Sequence, residues 1–117
     1  MSGNSSKKPS EQELRIAANQ FSSELKAIAS KIGELEMQLD EHKLVIKTMS
    51  PMNEDRKCFR LVNGVLIERT VKEVLPALET NQEGISSTIE QLTAQYKAKD
   101  KEFSEFQAKN HIRIASA

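Results

Sequence analysis

The chain has no tryptophan, and aromatic residues make up only 4% of its 117 positions. A compact globule draws much of its core from large rings, so this shortage argues against one. It is ordinary for a pair of long helices whose surface is mostly solvated. An excess of charge of either sign is also missing: 17 Lys and Arg stand against 17 Asp and Glu, for a formal net charge of zero. Nucleic acid and anionic membranes call for a basic face, so neither is expected as the main partner. Cys58, the one cysteine, cannot close an internal disulfide, which fits a reducing compartment. No apolar run approaches the ~20 residues of a membrane span. Met1 to Lys8 carries no apolar signal core. The expectation is one soluble, intracellular domain.

Catalytic signatures are absent as well. There is no Gly-rich phosphate loop, no HExxH, no CxxC and no G-x-S-x-G. His42 lies on an apolar seam and reads as a core histidine rather than a ligand or base. His111 reads as solvated. Cys58 heads a strand and reads as a small buried hydrophobe rather than a nucleophile. No enzyme, metal site or cofactor is expected.

What the sequence does contain is organised around Cys58 to Arg69. Two short runs rich in apolar and β-branched residues flank Asn63-Gly64. Asn-Gly supplies φ > 0 at both central positions of a type I′ turn, which predicts a β-hairpin over 58–69. A two-residue turn places Val62 opposite Val65, Leu61 opposite Leu66, Arg60 opposite Ile67 and Phe59 opposite Glu68. Apolar side chains then fall on both faces. A lone hairpin is marginal in water, so Phe59, Leu61, Val62, Val65, Leu66 and Ile67 are expected to pair with strands from elsewhere, as an oligomer interface.

Both flanks read as helix. Residues 1–9 hold nothing to bury and read as a disordered tail. Ser10-Glu11-Gln12-Glu13 matches a capping box. Leu14, Ala18, Phe21, Leu25, Ile28, Ile32, Leu35, Leu39, His42, Ile46 and Met49 then follow at steps of four and three, a heptad seam. Ser50-Pro51 ends that helix, predicted over 10–50, because Pro disfavours α geometry in the residue before it. A polar connector over 51–57 leads to the hairpin. Thr70-Val71-Lys72-Glu73 is a second capping box, opening a helix predicted over 70–111. Its seam is Leu75, Leu78, Gln82, Ile85, Ile89, Leu92, Tyr96, Lys99, Phe103, Phe106 and Asn110. Pro76 is comfortable only in a first turn, so it either kinks this helix or marks its start. Residues 112–117 read as a fraying tail.

The short hairpin returns the second helix antiparallel to the first. One register pairs Ala18 with Phe106, Phe21 with Phe103, Leu25 with Lys99, Leu35 with Ile89 and Ile46 with Leu78. It also sets His42 against Gln82, the polar residues in the middle of each seam. A one-heptad slip would oppose His42 with Leu75 or Ile89, and an unpaired buried polar group costs ~1–3 kcal/mol. His42 and Gln82 are therefore expected to fix the register. The flanking positions hold Ser22, Ala29, Ser86, Thr88, Thr93 and Gln95 rather than a charge zipper, which favours pairing within the chain. Far from the hairpin, Lys99 and Asn110 interrupt the seam, so the pair is expected to fray there. Leu14, Ile16, Phe21, Phe103, Phe106, Ile112 and Ile114 gather in that region as a candidate apolar binding surface.

The run Arg56 to Glu79 (RKCFRLVNGVLIERTVKEVLPALE) closely resembles the β-type prefoldin subunits. So do Glu34-Leu35-Glu36-Met37 and Asp40 to Ile46 before the hairpin, and the likeness extends over roughly Glu11 to Ile114. The resemblance implies a mainly α fold: a long antiparallel coiled-coil hairpin whose single central β-hairpin joins an inter-subunit β-barrel. It implies a prefoldin β-type domain over 10–117, in a hetero-hexamer with two α-type and three other β-type subunits. It further implies that coiled-coil tips hold non-native proteins such as actin and tubulin and pass them, without ATP, to a group II chaperonin. A structural coiled-coil adaptor that binds one folded partner is the alternative. A membrane tether is disfavoured because no anchor is seen.

Overall fold

The computed structural model describes residues 9–111. The expected tails, with Ile112 and Ile114, lie outside the described residues or at their edge. Within them the order is helix α1 (Glu11–Met49), strand β1 (Lys57–Val62), strand β2 (Val65–Thr70) and helix α2 (Val71–Asn110). The chain is mainly helical, with one two-stranded antiparallel sheet between two long helices.

Both capping boxes form, each by a different half of the motif. At α1 the Ser10 hydroxyl accepts the Glu13 N–H at 3.1 Å. At α2 the Glu73 carboxylate reaches back and accepts the Thr70 N–H at 3.2 Å and its hydroxyl at 3.1 Å. The α2 start is also held from outside the helix. Val71 N–H donates to the Arg56 carbonyl and Lys72 N–H to the Glu54 carbonyl, each at 3.0 Å. Two of the free N–H groups that any helix start exposes are thus satisfied by the connector. Val71, 3% exposed, is one of the few buried apolar residues among those described. These contacts explain why α2 begins at Val71, with Pro76 inside it. The alternative start at Pro76 does not occur.

The connector is itself hydrogen-bonded. Helix α1 ends at Met49, where Ser50 donates both its N–H and its hydroxyl to the Ile46 carbonyl, at 2.9 and 2.7 Å. Asn53 then turns the chain: its side-chain oxygen accepts the Asp55 N–H at 2.9 Å and its carbonyl the Arg56 N–H at 3.0 Å. The base of the hairpin is therefore pinned to the start of α2.

Two compact units divide the chain, Ile32–Gln91 and the remainder up to Lys31 and from Leu92. In each, seam residues from both helices are buried or half-buried, every one expected from the heptad among them. Ala18 and Leu25 are buried in the second unit, Leu35 and Val71 in the first.

Candidate functional site

The hairpin adopts the expected register, Val62 with Val65, Leu61 with Leu66, Arg60 with Ile67 and Phe59 with Glu68, and extends it by Lys57 with Thr70. Asn63 (φ 50°) and Gly64 (φ 80°) take the left-handed conformations that the turn requires. A Lys57–Glu68 ion pair at 3.6 Å bridges the strands. Apolar side chains are left in the open: Leu61 is 69% exposed and Phe59 60%. Val62, Val65 and Leu66 are exposed too, and only Ile67 of the six expected interface residues is half-buried. Covering a fully exposed Leu, Val or Phe is worth roughly 1.5–3 kcal/mol, and a partly exposed one proportionately less. Five partly exposed groups, from 36% at Val62 to 69% at Leu61, form a surface on one short hairpin that gains from a partner.

The aromatic region belongs to the other unit. Phe21 stacks on Phe103 with ring centroids 5.1 Å apart, and Phe106 lies 5.3 Å from Phe21 at a tilt of 43°. All three rings are half-buried. Leu14 is half-buried and Ile16 exposed. The structure thus brings three of the expected binding residues into ring contact, and these three include the phenylalanines alone.

Lys99 differs from its sequence reading as a break in the seam. Its Nζ lies 2.9 Å from the Glu24 carboxylate and 3.8 Å from that of Glu102. It also lies 5.6 Å from the centre of the Phe21 ring. The Glu24 hydrogen bond, opposed by partial desolvation and helped by the charges of Glu24 and Glu102, raises the lysine pKa above its usual value. Its stabilising effect is therefore complete below the ordinary lysine pKa and is lost as pH climbs past the raised one. With the side chain 31% exposed, solvent screening keeps that effect small. A charged side chain in a heptad seam is legible only as a defect until its cross-helix partner, one residue before Leu25, is known.

His42 is half-buried. Its Nδ1 is 2.9 Å from the Gln38 carbonyl, a contact within its own helix. It also lines an open groove with Leu35, Thr80, Asn81, Gly84, Ile85 and Thr88. Gln82 is half-buried. Cys58 is half-buried, its Sγ 3.9 Å from the Arg56 carbonyl. One group of apolar residues was missed by the seam template: Met37, Leu44 and Val45 are exposed on α1, Met37 at 68%. Met37 and Leu44 are one heptad apart on the side opposite the seam, and an apolar residue there is the signal that would have marked them. Among the described residues no cluster of three or more His, Cys, Asp or Glu could hold a metal. No described helix is long and apolar enough to cross a membrane.

The model of a family described as prefoldin subunit matches residues 12–117. The chain belongs to the prefoldin subunit family. Human prefoldin subunit 2 is 56% identical over 96 residues, which cover 82% of this chain and 62% of the human protein. The probable prefoldin subunit 2 of Schizosaccharomyces pombe is 47% identical over 107 residues, covering 91% of this chain and 94% of that one. The chain thus spans less than two thirds of its mammalian relatives but nearly all of the yeast one. In fold it is similar to the prefoldin beta subunit from Thermococcus strain KS-1, with a TM-score of 0.76 at 15% identity, over 89% of this chain and 93% of that one. The prefoldin likeness therefore covers both helices and the hairpin.

Proposed function

We propose that this chain is a β-type subunit of a hetero-hexameric prefoldin chaperone, assembled with two α-type and three other β-type subunits. The observation that carries this reading is the hairpin, whose apolar faces are left exposed by the chain that builds them. Phe59, Leu61, Val62, Val65, Leu66 and Ile67 carry assembly by edge pairing and burial in a shared β-barrel. The aromatic cluster of Phe21, Phe103 and Phe106, with Leu14, Ile16 and Ile112 around it in sequence, receives apolar segments of non-native chains. The proposal extends to actin- and tubulin-like clients, transfer to a group II chaperonin, independence of ATP and a cytoplasmic location, and prefoldin membership supports it. No catalytic step is assigned to any residue.

The test is promiscuity. The assembled complex should bind several unrelated unfolded chains and suppress their aggregation without nucleotide. Saturable binding of one folded protein, with no effect on unfolded chains, would instead mark a structural adaptor.

A further inference from the structure

In the unit that holds the aromatic cluster, Leu25 is buried and Ile28 and Tyr96 are half-buried. Lys99 stands beside this apolar stretch, with Phe21, Phe103 and Phe106 next to it. A leucine at position 99 would continue the seam with no need of a partner. The lysine instead reaches across to Glu24 at 2.9 Å, and its ammonium comes to 5.6 Å from the Phe21 ring centre, within range of a cation–π contact. The same Phe21 ring stacks on Phe103 and meets Phe106. One exposed ion pair therefore ties both helices together at the point where the rings close. Exposed pairs are among the weakest tertiary contacts and are easily broken. Ring stacking adds only modestly to that.

We propose that the Lys99–Glu24 pair is a latch on the Phe21–Phe103–Phe106 cluster. While it holds, the three rings satisfy one another. When it releases, the helices separate locally and the rings accept an apolar side chain of a non-native polypeptide. A weak latch suits this role, because a strong one would hide the rings and an absent one would leave them permanently open to misassociation. The inference rests on the reading that this cluster receives clients, and it adds a residue pair that sets how readily it does so.

Two variants move the latch in opposite directions. Lys99→Leu replaces the pair with a seam leucine against Leu25 and closes the cluster. Glu24→Gln leaves Lys99 in the seam without its nearest carboxylate and loosens it. Each full-length variant is assembled with its partner subunits. Hydrogen exchange of residues 14–25 and 99–110 is then read beside affinity for reduced, carboxymethylated α-lactalbumin, a permanently unfolded probe. The expected result is roughly two- to fivefold slower exchange and weaker probe binding for Lys99→Leu, and changes of similar size in the opposite sense for Glu24→Gln, the scale of an exposed ion pair. Affinity that stays constant or moves the same way in both variants overturns the latch, as does exchange that fails to separate them. Phe103→Ser with Phe106→Ser keeps the two ideas apart. If that variant binds the probe normally the client reading falls, and if it loses binding while the latch variants show no ordering only the latch falls.

Discussion

The hairpin and the aromatic cluster are both apolar, yet they handle their apolar surface in opposite ways. The hairpin leaves Phe59, Leu61, Val62, Val65 and Leu66 exposed on a hydrogen-bonded frame. That frame has a left-handed Asn63-Gly64 turn, six paired rungs, and a base pinned by hydrogen bonds from Val71 and Lys72 to the connector. The cluster half-buries Phe21, Phe103 and Phe106 against one another, beside a partly exposed Lys99–Glu24 ion pair. An open apolar surface on a fully paired hairpin suits a permanent joint, whose partner is always the same. A weakly closed one suits contacts that must form and dissolve with many partners. The proposed function gives assembly to one region and capture to the other.

The largest effect should come from breaking the joint. Leu61→Asp with Leu66→Asp places two charges in the surface to be buried and should abolish co-purification with other prefoldin subunits. Helical content measured by circular dichroism should stay nearly unchanged, because the seams do not use these residues. Next in size, Phe103→Ser with Phe106→Ser should leave assembly intact and weaken suppression of client aggregation several-fold. Unaltered suppression would show that these rings serve the seam and not clients.

A third prediction concerns the contacts that pin the base of the hairpin. Val71→Ala should cost about 2 kcal/mol, the scale of a truncated buried aliphatic side chain, and lower the midpoint of thermal unfolding. A change within error would mean that the hydrogen bonds of the connector hold the α2 start by themselves. A fourth concerns register. In a Cys58→Ser background, His42→Cys with Gln82→Cys should crosslink within one chain under mild oxidation, whereas coupling of position 42 to 75 or 89 would reveal a slipped pairing. The smallest effect is expected at Gly33 and Gly84, where an added Cβ would meet nothing within 4 Å. Replacing each with Ala should raise helix stability by roughly 0.5–1 kcal/mol. Calorimetry that shows no gain would point to a contact made only in the assembly.

Much of this division could be read from the sequence, and the reason is local chemistry. Asn63-Gly64 dictates its own turn, the turn dictates the strand register, and the two capping boxes mark both helix starts from four residues each. The heptad seam is equally local, since the spacing alone places every seam side chain on one face. What escaped that reading depends on groups distant in sequence. The choice between the capping-box start and Pro76, open in the sequence, is settled by the carbonyls of Glu54 and Arg56. The role of Lys99 requires Glu24, on the other helix and just off the seam. The exposure of Met37 and Leu44 lies outside any pattern that asks only which residues face inward. Prefoldin membership was legible because the hairpin and its flanks carry a specific run of residues, which heptads alone would not supply.

The division of labour between the two regions is tested most directly by native mass spectrometry of the complex formed when the Leu61→Asp, Leu66→Asp chain is expressed with its partner subunits. The expected spectrum shows this chain free of the assembly, while the unsubstituted chain appears once in a six-subunit complex. A six-subunit complex that still contains the substituted chain would contradict the hairpin's role as the joint.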